Sequence, residues 1–134
     1  IVLDIDHFKN VNDLHGHATG DIVIREVARR CQATVRDVDI LARYGGEEFI
    51  VMLPGAGKDE TAAGVAERLR TAVAAAPIET PDGPLSVTIS VGVDEVAASE
   101  TELSEAIDRA DAALYQAKDG GRNQVRVGTS AASS

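Results

Sequence analysis

Apolar residues recur every three to four positions in three stretches of the chain, and this period predicts three amphipathic helices. The first stripe runs over residues 24–35, the second over 62–76 and the third over 103–117. Pro77 is expected to end the second helix, and the Gly120-Gly121 pair to end the third.

Apolar runs between these helices predict strands. Two of them, residues 40–42 and 49–53, flank Gly45-Gly46, so we expect a hairpin whose two-residue loop uses the positive φ angles that glycine tolerates. The alternation over residues 85–93 predicts one strand with an apolar face and a small polar face. The remaining expected elements are a strand at 1–3, a short helix at 8–14, a turn at 80–84 and a strand at 124–127.

This order mixes a hairpin with crossover helices, which predicts an α/β (α+β) fold with a mixed central β-sheet flanked by helices. With 134 residues, 44% of them hydrophobic, the chain is long enough for one core and too short for two domains. We expect one domain over residues 1–127. Residues 128–134 contain only Gly, Thr, Ser and Ala and are predicted to be a disordered tail.

Composition and charge exclude several classes of function. The chain has 13 basic and 22 acidic residues and a net charge of -9, which opposes nucleic-acid binding through many phosphates. The single cysteine, Cys31, excludes an internal disulfide and is interpreted as a core residue. Apolar runs are too short for a membrane span and no secretory signal is evident, so we expect a cytoplasmic segment without direct membrane contact.

Carboxylates follow two of the predicted strands. Glu47 and Glu48 come directly after the glycine pair, and Asp4 closes the first strand. Two like charges about 4 Å apart cost roughly 4 kcal/mol at an effective dielectric of 20, and a divalent cation such as Mg²⁺ would offset that repulsion. The alternative is that these acids are solvated strand ends. Strand periodicity points Glu47 and Glu48 to opposite faces, so the residues alone leave open which of them shares the face of Asp4.

Four separated blocks resemble, in type, spacing and order, the GGDEF domain of bacterial diguanylate cyclases. The blocks are Asp4–Lys9, Asn12–His17 with Gly20-Asp21, Arg43–Phe49 and Lys118–Asn123. The resemblance runs from residue 1 to about Val127 and implies a ferredoxin-like or polymerase-palm-like fold. It also implies condensation of two GTP molecules into cyclic di-GMP with release of two pyrophosphates, across an antiparallel homodimer.

The resemblance does not include the segment with which the family's domain usually begins. The helix and the Asp-x-Leu-Thr-Gly-Leu segment that precede the first strand in the family are missing, and the chain has no initiator Met. We therefore expect a fragment of a longer protein, which can itself be membrane-anchored and which carries an upstream sensor or receiver domain.

The resemblance implies catalytic and metal-binding roles for the carboxylates. Asp4, the backbone carbonyl of Ile5, Glu47 and Glu48 would hold two Mg²⁺ (or Mn²⁺) ions. Glu47 would also help to deprotonate the attacking ribose hydroxyl.

It further implies a GTP site. Asn12 and Asp21 would read the guanine edge, since Asp accepts from donors that adenine lacks. The phosphates would be held by Lys9, Lys118 and Arg122 and by the backbone N–H groups of His7 and Phe8, with Gly45 and Gly46 allowing close approach.

Each nucleotide residue has an ordinary alternative. Asp21 suits a helix N-terminus and Lys118 a helix C-terminus, while Asn12 and Arg122 suit solvated turns. The histidines at 7, 15 and 17 are expected to be structural or solvated.

Arg36 and Asp39 match an Arg-x-x-Asp pair that binds the product and inhibits many enzymes of the family. Arg68 fits the place of a further arginine in that site, and Gly64 stands where a second helix arginine would fall. Alone, the pair is a weak motif, because Arg near a helix C-terminus is already favoured.

Two rival functions remain open at the level of sequence. One is a catalytically silent module that binds GTP or cyclic di-GMP and signals by contact. The other is a polymerase-like palm that acts on a template, which the charge of -9 disfavours.

Overall fold

The protein is represented by a computed structural model that describes residues 1–54, 61–94 and 103–128. Four helices are found there, which are α1 (Phe8–His15), α2 (His17–Thr34), α3 (Ala62–Ala74) and α4 (Leu103–Asp119). The strands are β1 (Val2–Ile5), β2 (Ile40–Arg43), β3 (Glu48–Met52), β4 (Ile78–Thr80), β5 (Gly83–Leu85), β6 (Ile89–Val93) and β7 (Val125–Val127). None of the helices in these ranges is both long and apolar enough to cross a bilayer.

Five strands form a mixed sheet in the order β2-β3-β1-β6-β7. The pairs β2/β3, β3/β1 and β1/β6 are antiparallel, whereas β6 and β7 are parallel. The first four strands have the order of a ferredoxin-like sheet, with β1 in the interior. The predicted mixed sheet flanked by helices is therefore confirmed.

The two faces of the sheet carry separate apolar clusters. Leu3 and Ile5 of β1 belong to the larger cluster, which includes the buried side chains of α2 and α3. Val2 belongs to a smaller cluster with Ile50 and with Leu114 of α4. Alternation along β1 thus separates the residues that face α2 and α3 from those that face α4.

Cys31 lies within the larger cluster and is fully buried. Burial away from water raises the pKa of its thiol to about 12. The prediction of a core role is confirmed.

Residues 85–93 do not form the single strand that their alternation predicts. Leu85 ends β5, which pairs with β4 across the Pro81-Asp82 turn, and β6 begins only at Ile89. The small polar face of β6 is buried as well, since Ser90 is completely buried. The prediction of one strand was wrong because alternation does not show which partner a segment pairs with, and Gly83–Leu85 pairs with β4 outside the main sheet.

The loop of the β2/β3 hairpin is also longer than predicted. Arg43 pairs with Phe49, so the loop runs from Tyr44 to Glu47, and neither Gly45 nor Gly46 has a positive φ. The backbone N–H groups of Tyr44 and Gly45 both donate to the carbonyl of Glu48, at 2.8 and 3.3 Å. The loop closes through these bonds instead of through a tight primed turn.

The end of the described chain returns to the sheet. The backbone N–H of Gly128 donates to the carbonyl of Val93 at 2.6 Å, which continues the β6/β7 pairing. The predicted tail otherwise lies outside the described residues.

Helix α4 lies directly against the backbone of β6 at Gly92. A Cβ atom at this position would lie 1.9 Å from the carbonyl oxygen of Ala110 and 2.4 Å from the backbone nitrogen of Leu114. Both neighbours are backbone atoms of a helix, which cannot rotate away. The absence of a side chain at Gly92 therefore fixes the distance between α4 and the sheet.

We predict that Gly92→Ala destabilises the domain by about 3 kcal/mol or more, the upper end of the usual penalty for overpacking, because α4 has to move off the sheet. Denaturant unfolding at equilibrium measures the change. Gly46→Ala is the matched control, because a Cβ there meets nothing within 4 Å. Equal stability of the two variants would contradict the close helix–sheet contact.

Candidate active site

The acidic residues of β1 share one face of the sheet with their neighbours on both sides. Asp4 is paired directly with Glu48 of β3 and with Ser90 of β6. Directly paired residues project to the same face, so Glu48 lies on the side of Asp4 that α4 covers. This register answers the question that strand periodicity left open.

Lys118 of α4 reaches this face and forms an ion pair with the carboxylate of Asp4. Asp4 is only 3% exposed. Its burial raises the pKa of this carboxyl from 3.8 to about 6; Lys118 lowers it in part, and the charges of Glu47 and Glu48 raise it. The site thus strains the ionised form of Asp4 despite the neighbouring cation.

The two glutamates differ in how they approach Asp4. Glu48 belongs to β3, and burial together with the charge of Asp111 on α4 raises the pKa of its carboxyl. Glu47 lies in the loop, where its backbone carbonyl accepts a hydrogen bond from the N–H of Ile5 at 3.3 Å. The charge of Glu47 raises the pKa of both Asp4 and Glu48, so the three predicted carboxylates are close enough to repel one another.

The convergence does not form a closed metal cage. Among residues 1–54, 61–94 and 103–128, no group of three or more His, Cys, Asp or Glu side chains is arranged to hold a metal ion. The side chain of Lys118 occupies the position beside Asp4 instead. Mg²⁺, however, is commonly bound by one or two carboxylates together with water and substrate phosphates, and the Asp4–Glu48 pair fits that donor set.

The hairpin loop leaves open space beside these acids. Within the described part of the chain, and apart from the two neighbouring residues, no atom would lie within 4 Å of a Cβ at Gly46, whereas a Cβ at Gly45 would lie 3.8 Å from the Cβ of Glu48. Arg43 donates to the carbonyls of both glycines, at 3.2 Å to Gly45 and at 2.6 Å to Gly46. This arginine fixes the loop while the outer side of the glycines stays accessible.

Asn12 and Asp21 lie on α1 and α2, which pack against each other. A Cβ at Gly20 would lie 1.9 Å from Oδ1 of Asn12, so the carboxamide rests directly against the backbone of α2. Asp21 follows Gly20 and is exposed. Because Gly20 has no side chain, Asn12 contacts the residue directly before Asp21, so the two predicted guanine-reading residues belong to one part of the surface.

The other predicted phosphate ligands lie at the start of α1 and just after α4. His7, with a left-handed backbone (φ 57°), precedes α1, and buried Phe8 and exposed Lys9 begin it. Arg122 is exposed just beyond the C-terminus of α4. Among the histidines, His15 has its Nδ1 atom 2.9 Å from the Asp82 carboxylate, in agreement with a structural role.

The predicted inhibition site lies at the other end of β2. The Arg36 guanidinium donates to Oδ1 of Asp39 at 2.8 Å and to the carbonyl of Pro54 at 2.8 Å. Asp39 has a buried side chain, and its pKa is lowered by the hydrogen bond from Arg36 and by the charge of Arg68. The structure therefore brings together the three residues that the sequence selected.

Several residues near the site were not predicted as contributors. Asp111 is seven positions before Lys118, a spacing that puts both on one face of α4 and was available in the sequence. The contact of Gly20 with Asn12 depends on how α1 packs against α2. The contact of Asp6 with Asn123 depends on the packing of distant segments and leaves no local signal.

The family model described as "Diguanylate cyclase, GGDEF domain" matches residues 1–124. A curated protein named Diguanylate cyclase A, from Treponema denticola, is 46% identical over 127 residues, which are 95% of this chain and 34% of that protein. The chain spans between 18% and 35% of the length of the first curated relatives that it matches.

Solved structures resemble the fold closely. The GGDEF domain of DgcB from Caulobacter crescentus, in complex with c-di-GMP, gives a TM-score of 0.83 at 40% identity, covering 94% of this chain and 74% of that one. The active GGEEF domain of a diguanylate cyclase from Vibrio cholerae gives a TM-score of 0.84 at 33% identity, covering 94% and 79%.

We predict that Asp4→Asn removes a pH dependence of stability. The folded pKa of about 6 lies above the ordinary 3.8, so the folded state binds the proton more tightly. The free energy of unfolding attributable to Asp4 therefore falls as the pH rises from about 4 to about 6. Relative to the wild type, the variant should gain melting temperature across that window and keep the gain at pH 7.5.

Thermal unfolding in the presence of a chelator, at several pH values, measures this difference. Asp13→Asn, at an exposed position of α1, is the matched control and should follow the wild type. If the difference in melting temperature between Asp4→Asn and the wild type stayed constant from pH 4 to 7.5, the conclusion that burial raises the pKa of Asp4 would be contradicted.

Proposed function

This chain belongs to the diguanylate cyclase GGDEF domain family, and from that premise we propose that it condenses two GTP molecules into cyclic di-GMP with release of two pyrophosphates. The observation that carries the proposal is the direct pairing of Asp4 with Glu48, beside Lys118 and next to the open loop at Gly46. Carboxylates, a cation and bare backbone in one place suit a polyphosphate with its metal.

Divalent metal, with Mg²⁺ or Mn²⁺ as the candidates, would be held by the carboxylates of Asp4, Glu47 and Glu48 and by the carbonyl of Ile5. When bound, such ions polarise a phosphoryl group and neutralise a leaving pyrophosphate. The raised pKa of Asp4 is consistent with this role, because a carboxylate that is strained without a cation gains when one binds.

The remaining residues would bind and orient the nucleotide. Lys118 lies on the face that carries Asp4 and Glu48, and its side chain is one-third exposed. It would release the Asp4 carboxylate and bind a phosphate oxygen of the nucleotide. Arg122 and Lys9 would contribute further charge from the adjacent loop and from α1. The carboxylate of Glu47 would accept the proton of the attacking 3′-hydroxyl, because Glu47 lies in the hairpin loop just before β3, next to the open space at Gly46.

Guanine recognition is assigned to Asn12 and Asp21. The Asp21 carboxylate would accept from N1–H and the exocyclic amine, and adenine has no donors in that arrangement. Gly20 supports this role, since its lack of a side chain lets the Asn12 carboxamide lie against α2.

Cyclisation requires two copies of the domain. Each holds one GTP, so an antiparallel homodimer would bring each 3′-hydroxyl to the other α-phosphate, and proximity would provide much of the rate. An upstream sensor or receiver domain would control that encounter.

Product inhibition is proposed at Arg36, Asp39 and Arg68. The Arg36 guanidinium donates to both carboxylate oxygens of Asp39, from Nη2 to Oδ1 at 2.8 Å and from Nε to Oδ2 at 3.3 Å, and Arg68 adds charge from α3. Two arginines at one surface suit the phosphates of cyclic di-GMP. The DgcB structure in complex with c-di-GMP is consistent with a product site on this fold.

We predict that Glu48→Gln reduces cyclic di-GMP formation by at least a factor of about 100, since removal of a metal-binding group at a reacting centre commonly costs that much. The measurement is chromatography with mass detection after incubation with GTP and Mg²⁺. Glu79→Gln, an exposed glutamate of β4, is the matched control and should retain wild-type turnover.

Three outcomes are distinguishable. Product from the wild type and Glu79→Gln alone would support the cyclase and its metal site together. Full activity of Glu48→Gln would refute the metal assignment. GTP binding without product from any variant would instead favour the silent binding module.

A second prediction concerns inhibition. Arg68→Ala should raise the cyclic di-GMP concentration that halves the rate by about tenfold, the usual consequence of losing one charge-assisted contact. Inhibition curves and calorimetric binding of cyclic di-GMP measure the effect. Arg29→Ala, an exposed arginine of α2, is the control, and an unchanged curve for Arg68→Ala would remove this residue from the site.

A further inference from the structure

The turn after α4 has an unusual backbone. Gly121, Arg122 and Asn123 all have positive φ angles, of 118°, 64° and 46°. Glycine adopts such angles readily, but residues with a Cβ rarely do, and Arg is not among those enriched there. Strained residues of this kind persist only where the surrounding structure holds them, and they are concentrated at functional sites.

The carboxylate of Asp6 holds this turn from the sheet. Its Oδ2 atom accepts the backbone N–H of Asn123 at 3.0 Å and the hydroxyl of Thr88 at 2.6 Å, while Oδ1 accepts the hydroxyl of Ser90 at 2.6 Å. Asp6 is 5% exposed, so these donors replace water around a buried charge. Asp6 is thereby anchored to the sheet, and Asn123 is anchored to Asp6.

Arg70 holds the same turn from α3. Its Nη1 atom donates to Oδ1 of Asn123 at 2.9 Å, and its Nε atom donates to Glu67 at 2.9 Å. The backbone and the side chain of Asn123 are thus fixed by two elements far apart in the sequence.

The strained turn lies beside the candidate active site. Asp6 follows β1 directly and accepts a hydrogen bond from Ser90, the residue that pairs with Asp4. Asp4 contacts Lys118 in the last turn of α4, and Asp6 contacts Asn123 just after that helix. Arg122 lies between these two anchors, so its backbone direction is determined on both sides.

We propose that Asp6 and Arg70 are positioning residues that hold the Arg122–Asn123 turn, so that Arg122 faces the nucleotide phosphates. The inference rests on the proposed function, because it assumes that Arg122 contacts GTP. A turn that only reverses the chain would carry glycine at these positions, as it does at Gly121. Asn is common in the left-handed region but Arg is not, so the use of Arg at position 122 favours a role in binding.

The test measures the binding of 3′-deoxy-GTP with Mg²⁺ by calorimetry, because this analogue lacks the attacking hydroxyl and cannot condense. Arg70→Ala removes the anchor on α3 at a surface position that leaves the core intact. Glu67→Gln is its control, since it changes the other partner of Arg70 and leaves the bond to Asn123.

A second pair of variants tests the anchor on the sheet. Asp6→Ala removes the acceptor of the Asn123 N–H, whereas Asp6→Asn keeps an oxygen there and should restore binding. Ser90→Ala removes only the hydroxyl on Oδ1 and is the control for lost stability. Steady-state turnover of GTP complements the binding measurements.

We expect Arg70→Ala and Asp6→Ala to weaken analogue binding by about tenfold, consistent with one misplaced charged contact, and to raise KM with kcat changed less than about twofold. Both controls and Asp6→Asn should stay near the wild type. Equal binding by Arg70→Ala and Glu67→Gln would overturn the inference while leaving the proposed function intact. Failure of the wild type itself to bind the analogue would refute the proposed function, and the inference with it.

Discussion

Helix α4 lies with its backbone against the backbone of β6, and this contact depends on the missing side chain of Gly92. The distance between helix and sheet determines where the last turn of α4 ends. Lys118 reaches Asp4 from that turn, and the following residues reach Asp6. A single methyl group at Gly92 would therefore shift several polar contacts that lie more than one helical turn away.

The same geometry brings like charges together. Asp4 and Glu48 are neighbours across the strand pair, with Glu47 close by, in a chain whose net charge is already -9. Burial makes their mutual repulsion stronger than it would be in water. Lys118 offsets only part of it, as the raised pKa of Asp4 indicates. An acidic face that is left incompletely neutralised favours the entry of further positive charge.

The sequence predicted the helices well because their apolar stripes are long and regular, and the order of strands and helices identified the type of sheet. Two predictions were wrong for identifiable reasons. The glycine pair at 45–46 suggested a tight turn, but hydrogen bonds from Tyr44 and Gly45 to Glu48 close a longer loop. The alternation at 85–93 gave no sign that β5 leaves the main sheet to pair with β4.

The sequence predicted those site residues whose reactive side chains stand close together in short blocks, such as Gly45–Glu48. The residues that support the site were harder to find. Asp6 and Asn123 act through partners that are distant in the chain, so neither composition nor period reveals their contacts. Such contacts exist only once the fold brings the segments together.

The alternation along β1 also restricts how this domain can change during evolution. Asp4 faces α4, and Asp6, directly after β1, contacts the turn that follows α4, whereas Leu3 and Ile5 face the main core. Insertion or deletion of one residue within this strand would turn both carboxylates into the apolar core and both apolar side chains toward α4. Substitutions can accumulate in β1 one at a time, but its length cannot drift, and changes of length have to occur in the loops instead.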